Sequence, residues 1–284
     1  MKVLRAETAG FCMGVSLALK KLDELVANAL NPESIYMLGP IIHNPQVLER
    51  YKKVGVQLAN SIHDIPAEST VIIRAHGIPL KAERHLKENN IHIIDATCPK
   101  VKKAQVLIQK QAALNKTLLL YGEEDHPEVR GLLSYSPEHA YVFEDLDDLK
   151  KIELPNDREY FLAAQTTQDK EHFVEISDWL QKNLDEDIHI LHTICDATRE
   201  RQHEAIKIAQ EVDCMVVVGG KSSGNTRRLH LVATSHCNTC YHIETVEELK
   251  EHTEFKSCMC LGLTAGASTP KDIIDTVEKH LQSL

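Results

Sequence analysis

The sequence predicts an α/β protein of three pseudo-threefold-related lobes, each built on a small parallel sheet. Three observations carry the prediction. The run Ile91-His92-Ile93-Ile94-Asp95-Ala96-Thr97-Cys98 returns as Ile188-His189-Ile190-Leu191-His192-Thr193-Ile194-Cys195, 97 residues later. Each cysteine is followed by a helical stripe and then, 24 residues on, by an apolar run ending at Gly122 or Gly219. A third cysteine, Cys12, follows its own strand-like start, Val3-Leu4-Arg5-Ala6, 86 residues before Cys98. A repeat of this kind changes the expected organisation from two domains to three lobes.

The elements follow in chain order. After Cys12, Val15, Ala18, Leu19, Leu22, Leu25, Val26, Ala29 and Leu30 keep helical spacing, and Ile35–Leu38 reads as a strand closed by Gly39. A second strand, Val71-Ile72-Ile73, ends in Arg74-Ala75-His76-Gly77. After Cys98 the stripe is Val101, Ala104, Leu107, Ile108 and Ala112, leading to Leu118–Tyr121 and Gly122. The matching second strand, Tyr160–Ala164, ends in Gln165-Thr166-Thr167. After Cys195 come Ala205, Ile206, Ala209 and Val212, then Met215–Val218 and Gly219, and finally Cys260–Ser268. The last helix is expected to take Ser268 or Thr269 as N-cap, with Pro270 at its first position. The third lobe lacks a trailing strand, so residues 1–12 are expected to complete it. The lobes then run 13–97, 98–194 and 195–284.

Composition excludes several functions. The chain has 284 residues and a net charge of −10, and phosphate neutralisation drives general nucleic-acid binding, so no nucleic-acid partner is expected. No stretch approaches the ~20 apolar residues of a membrane helix. Lys2, Arg5 and Glu7 break any signal-peptide core, which points to the cytoplasm. Eight cysteines in that reducing compartment read as metal ligands, catalytic groups or packing rather than disulfides.

Two groupings of the cysteines compete. One collects Cys237-Asn238-Thr239-Cys240 and Cys258-Met259-Cys260 into a zinc site, although C-x-C replaces the usual second C-x-x-C. The other takes Cys12, Cys98 and Cys195, one per lobe. Cys258 and Cys260 lie in an apolar run, and Cys214 precedes another, which favours packing. Ligands of parallel sheets gather beyond the carboxyl ends of the strands, where helix N-termini favour anions. Thiolates there suit an iron–sulfur cluster, or zinc with water. A [4Fe–4S] cluster held by three cysteines leaves one iron open as a Lewis acid. Strand-end loops add His43, His126 with Glu128, and Ser223-Gly224-Asn225; second strands add His76, Thr166-Thr167 and Ser268. Histidines, hydroxyls and an amide in these places form an anion site, with Glu128 as general acid. Gly220-Lys221-Ser222 is no phosphate loop, since Met215 stands where that motif needs glycine. Glu144-Asp145-Leu146-Asp147-Asp148 reads as solvated surface.

Ala9-Gly10-Phe11-Cys12-Met13-Gly14-Val15, Gly39-Pro40-Ile41-Ile42-His43-Asn44, Arg74-Ala75-His76-Gly77, Asp95-Ala96-Thr97-Cys98-Pro99, His126-Pro127-Glu128, Gln165-Thr166-Thr167 and Thr264–Pro270 together resemble the 4-hydroxy-3-methylbut-2-enyl diphosphate reductase family (IspH/LytB). The resemblance spans residues 9–270 in order. It implies a trefoil of α/β lobes around one [4Fe–4S] cluster per chain, held by Cys12, Cys98 and Cys195. It implies substrate contacts from His43, His76, His126, Thr167, Ser223, Gly224, Asn225 and Ser268, with Glu128, Thr167 and His126 catalytic. Where the family usually reads Ser-Ser-Asn, Gly224 offers backbone N–H or water in place of a hydroxyl.

The implied reaction is the last step of non-mevalonate isoprenoid synthesis, a two-electron reductive dehydroxylation yielding isopentenyl and dimethylallyl diphosphate. With no nicotinamide or flavin fingerprint in the chain, the expected donor is reduced ferredoxin or flavodoxin. Two rivals stand beside this reading. A quinolinate synthase-like cluster enzyme shares the three lobes but not these histidine motifs. A metal-binding regulator would use the late cysteine hooks and tolerate loss of Cys98.

Overall fold

The computed structural model describes residues 2–184, 187–251, 255 and 258–284. Strands and helices alternate along them. In order they are β1 (Lys2–Arg5), α1 (Met13–Asn28), β2 (Ile35–Leu38), α2 (Pro45–Lys53), β3 (Gln57–Ala59), β4 (Thr70–Ile73), α3 (Leu80–Glu88) and β5 (His92–Asp95). Next come α4 (Pro99–Ala112), β6 (Thr117–Tyr121), α5 (Pro127–Leu133), β7 (Ala140–Phe143), α6 (Leu146–Lys151), β8 (Tyr160–Ala164), α7 (Lys170–Asn183) and β9 (His189–Ile190). The chain ends with α8 (Asp196–Ala209), β10 (Cys214–Val218), α9 (Gly224–Thr234), β11 (Cys240–Ile243), β12 (Cys260–Ala265) and α10 (Lys271–Ser283).

The strands form three four-stranded sheets, ordered β3-β2-β4-β5, β7-β6-β8-β9 and β11-β10-β12-β1. Every pairing is parallel. The predicted class, α/β with three small parallel sheets, is the observed one. One order recurs throughout: a short edge strand, the glycine-ended strand, the second strand, then a strand leading to a cysteine. In the third sheet β1 fills that last place, with Lys2 opposite Cys260 and Arg5 opposite Leu263.

Residue contacts group the chain into two compact units. One comprises residues 1–16, 42–54 and 196–284 and holds the third sheet; the other comprises 17–41 and 55–195 and holds the first two. Within the second sheet Leu119, Tyr121, Leu162 and Ala164 enter one apolar cluster, while Leu118, Leu120, Phe161 and Ala163 enter another. Alternate side chains point to opposite faces, and both faces are covered, so parallel strands read as unbroken apolar runs. That is why the glycine-ended and second strands are visible in the sequence. The edge strands β3, β7 and β11 are short and only partly buried, and their pattern does not announce them.

Two local expectations are corrected. The run to Cys195 is not a strand throughout: β9 holds only His189–Ile190, and Leu191–Cys195 is loop. Helix α10 starts at Lys271, with Pro270 as an N-cap that makes no side-chain bond. The hydroxyls expected to cap it are used elsewhere: Thr269 Oγ1 donates to Val218 O (2.9 Å) and Ser268 Oγ to His43 O (3.3 Å).

The turn after β4 requires glycine. Gly77 has φ +74°, and a Cβ there would lie 2.8 Å from Gln105 Nε2 and 3.3 Å from Thr97 Cγ2. Gly77→Ala is expected to cost on the order of 1–3 kcal/mol in denaturant unfolding, from left-handed strain plus overpacking. A variant as stable as wild type would show that the turn relaxes.

Candidate active site

One construction delivers all three cysteines. The backbone N–H of Cys98 donates to Ala75 O (2.9 Å), that of Cys195 to Thr166 O (2.9 Å) and that of Cys12 to Ala267 O (3.2 Å). Each acceptor lies two residues beyond the end of its sheet's second strand, β4, β8 or β12. Each cysteine also stands immediately before a helix: α4, α8 and α1. The Cys12 sulfur accepts the Val15 N–H at 3.5 Å. All three are half-buried, and none is in a disulfide. Soft donors placed at positive helix ends, with no disulfide between them, fit an iron–sulfur cluster.

The late cysteines are built differently. Cys240 opens β11 and its sulfur lies 3.3 Å from His230 Nδ1; burial pushes this thiol up to about 11. Cys237 donates to Thr239 O at 3.3 Å, and Cys214 is fully buried, which drives its thiol far above the ordinary value. Among the described residues these cysteines do not bring three ligand atoms within 4.8 Å of one another. Zinc–sulfur bonds of about 2.3 Å need closer sulfurs.

In the unit of the first two sheets, His126 caps α5 and its Nδ1 accepts the Glu128 N–H at 3.1 Å. The neutral ring therefore carries its proton on Nε2. His76 meets the His126 ring edge to face, with centroids 5.3 Å apart. Glu128, one residue further into α5 than Pro127, is 1% exposed. Its Oε1 accepts the Thr166 N–H (2.6 Å) and its Oε2 the Thr166 hydroxyl (3.0 Å). Burial raises the Glu128 carboxyl to about 7, against the pull of the two Thr166 bonds. The group is thus poised as a proton donor near neutral pH.

Thr166 is a residue that the motif reading passed over in favour of its neighbour. Thr167 Oγ1 accepts Gln165 Nε2 at 3.0 Å. Thr166 instead grips the carboxyl with its N–H and hydroxyl while its carbonyl holds the Cys195 N–H. Thr166→Val keeps the backbone bond and removes one donor to the anion. The alkaline limb of turnover is expected to move up by roughly half to one pH unit, the equivalent of about one hydrogen bond. An unmoved limb would detach Thr166 from the acid.

In the other unit, the carbonyl of His43 accepts Ser268 Oγ, and a Cβ on Gly220 would lie 2.7 Å from the same carbonyl. The 220–223 loop, Ser268 and His43 are therefore neighbours. Ser223 caps α9 through its Oγ, which accepts the Thr226 N–H at 3.3 Å, and Gly224 is the first helical residue. Asn225 Nδ2 is buried there with no hydrogen-bond partner among the described residues. A buried donor left so costs about 1–3 kcal/mol, and a helix N-terminus beside it is suited to an anion.

The LytB protein family model matches residues 3–282. The chain belongs to the LytB family. This LytB chain is 54% identical, over the whole of both chains, to a protein of Solidesulfovibrio magneticus named 4-hydroxy-3-methylbut-2-enyl diphosphate reductase. A Clostridioides difficile protein of the same name is 38% identical, again over both full lengths. Among solved structures, the E-1-hydroxy-2-methyl-but-2-enyl-4-diphosphate reductase of Plasmodium falciparum superposes with a TM-score of 0.93 at 29% identity. That match covers 98% of this LytB chain and 87% of the other. A second structure, of (E)-4-hydroxy-3-methyl-but-2-enyl diphosphate reductase, the terminal enzyme of the non-mevalonate pathway, gives a TM-score of 0.71. Its identity is 39%, with both chains fully covered.

Proposed function

We propose that the chain is an oxidoreductase that converts 4-hydroxy-3-methylbut-2-enyl diphosphate to isopentenyl and dimethylallyl diphosphate, the terminal step of the non-mevalonate pathway. The observation that carries this reading is the threefold repetition of one cysteine-bearing loop, together with a buried Glu128 whose carboxyl is raised to about 7, in a chain 54% identical to a protein of that name. The family is one of iron–sulfur enzymes. Cys12, Cys98 and Cys195 would hold a [4Fe–4S] cluster, one per chain. When bound, that cluster supplies electrons and a Lewis-acidic iron.

The rest is the work of the chain's own residues. His43, Ser223, the Gly224 N–H, Asn225 and Ser268 would provide donors for the diphosphate. His76 and His126 would add imidazole donors, and Thr167 would contact substrate. Holding the diphosphate spends remote binding energy on positioning the hydroxyl that leaves. Glu128 gives the proton that lets this hydroxyl depart as water, and Thr166 stabilises the carboxylate left behind. Two electrons and two protons are consumed for each water released. The electrons come from reduced ferredoxin or flavodoxin. No described helix is long and apolar enough to cross a membrane, and we place the chain in the cytoplasm. The three sheets support lobes of residues 13–97, 98–194 and 195–284, the last completed by 1–12.

The test is an assay of iron, acid-labile sulfide and zinc in anaerobically purified protein, followed by turnover of the diphosphate with a reduced viologen. About four irons and four sulfides per chain, with turnover, are expected. Stoichiometric zinc without sulfide would sink the reading.

A further inference from the structure

The loop that delivers Cys12 is held from one side by a single helix. Arg201, on α8, is 4% exposed. Its Nη1 donates to the carbonyls of Thr8 and of Ala265, the latter at 2.8 Å, and its Nη2 donates to the Gly10 carbonyl at 3.0 Å. One turn later, Glu204 accepts the N–H of Glu7 (2.7 Å) and the N–H and hydroxyl of Thr8 (2.9 and 2.5 Å). Ala265 ends β12, and two residues on, Ala267 receives the Cys12 N–H. Backbone groups of Glu7, Thr8, Ala9, Gly10 and Cys12 are thus bound before the chain enters α1.

Arg201 is unusual in what it is paired with. A guanidinium this buried ordinarily faces a carboxylate, because an uncompensated interior charge is costly. Here its hydrogen bonds go to three neutral carbonyls, and the carboxylate one turn along the helix, Glu204, is taken up by Glu7 and Thr8. Burial pulls the guanidinium below its ordinary value, and Glu204 pushes back. Arg201 Nη2 reaches the Gly10 carbonyl two residues before Cys12, so a buried positive charge stands on the loop that presents the sulfur. Three thiolates on a [4Fe–4S] core would place negative charge near it, and reduction would add one more unit.

We propose that Arg201 is the positioning residue of Cys12: it fixes the loop that presents the sulfur and keeps a buried positive charge beside it, which makes the bound cluster easier to reduce. The inference rests on the cluster reading given above. It goes beyond that reading by assigning electron-accepting properties to a residue outside the ligand set. It also accounts for Gly10, whose φ of +111° turns its carbonyl onto Arg201.

The experiment compares wild type, R201K and R201M as full-length chains reconstituted under anaerobic conditions. Iron and sulfide are counted first. A wild-type chain that takes up neither removes the cluster reading itself, and the count identifies that failure as separate from this one. The midpoint potential is then followed by electron paramagnetic resonance. R201M is expected to be more negative than wild type, whereas R201K, which keeps the charge, is expected to stay near it. Amide exchange over residues 7–12 is measured in the cluster-free chains. It is expected to speed up about tenfold in both variants, because one ammonium cannot span three carbonyls and a thioether donates to none. An unchanged potential in R201M overturns the proposal, and so does unchanged exchange in R201K. Should R201M fail to fold, R201K decides alone: fast exchange with a retained potential supports the assignment, and any other pairing overturns it.

Discussion

Glu128→Gln is expected to lower kcat by about 10²–10⁴-fold while leaving KM within a few-fold of wild type. The amide keeps the volume and can still accept from Thr166, but it has no proton to give. Steady-state assays with a reduced viologen separate the two constants, and near-normal turnover would remove Glu128 from the proton path. The same carboxyl sets the pH profile. With its value raised to about 7, the acid form dominates below pH 7 and is lost above it. Wild-type kcat is therefore expected to hold on the acid side and fall as pH rises through about 7.

Folding stability carries the same signature. A carboxyl whose folded value lies above its unfolded one binds more protons in the native state across the interval between them. Its contribution is complete below about 4.5 and is lost as pH rises to about 7, a change on the order of 3 kcal/mol. Cluster-free wild type is expected to lose stability over that window relative to Glu128→Gln, which has no such proton. Parallel denaturation curves for the two proteins at pH 5 and pH 8 would contradict the burial of a titrating acid.

Cys98→Ser is expected to abolish turnover and to lower bound iron and sulfide together. Serine offers a harder ligand that is protonated at neutral pH, and only two soft donors remain. Cys240→Ser is the matched comparison. Its sulfur faces His230 rather than a strand-end loop, so cluster content and turnover are expected to remain near wild type. Full activity in Cys98→Ser, or loss of the cluster in Cys240→Ser, would return the late cysteine hooks to consideration.

The difference between these cysteines was half legible in the sequence. Cys98 and Cys195 repeat with their strands and glycines at fixed offsets, and local spacing of that sort survives any folding of the chain. So do the apolar runs of β2, β4, β6, β8, β10 and β12, because strands covered on both faces need no polar alternation. The histidine motifs and Glu128 were readable for the same reason: each sits within a few residues of a strand end or a helix start.

What the sequence alone determined is therefore the α/β class with three small parallel sheets, and the identity of most residues at the strand ends, since these are encoded in patterns shorter than about ten residues. What only the tertiary structure decided is which of two adjacent threonines grips Glu128, and which helix holds Cys12. Thr166 and Thr167 are equivalent in composition, and the direction of each is set by where β8 releases the chain relative to a carboxyl 38 residues away. Arg201 meets Thr8 across 193 residues. No local pattern encodes such a contact, because it exists only after β1 has joined β12 and the sheet has brought the two ends of the chain side by side.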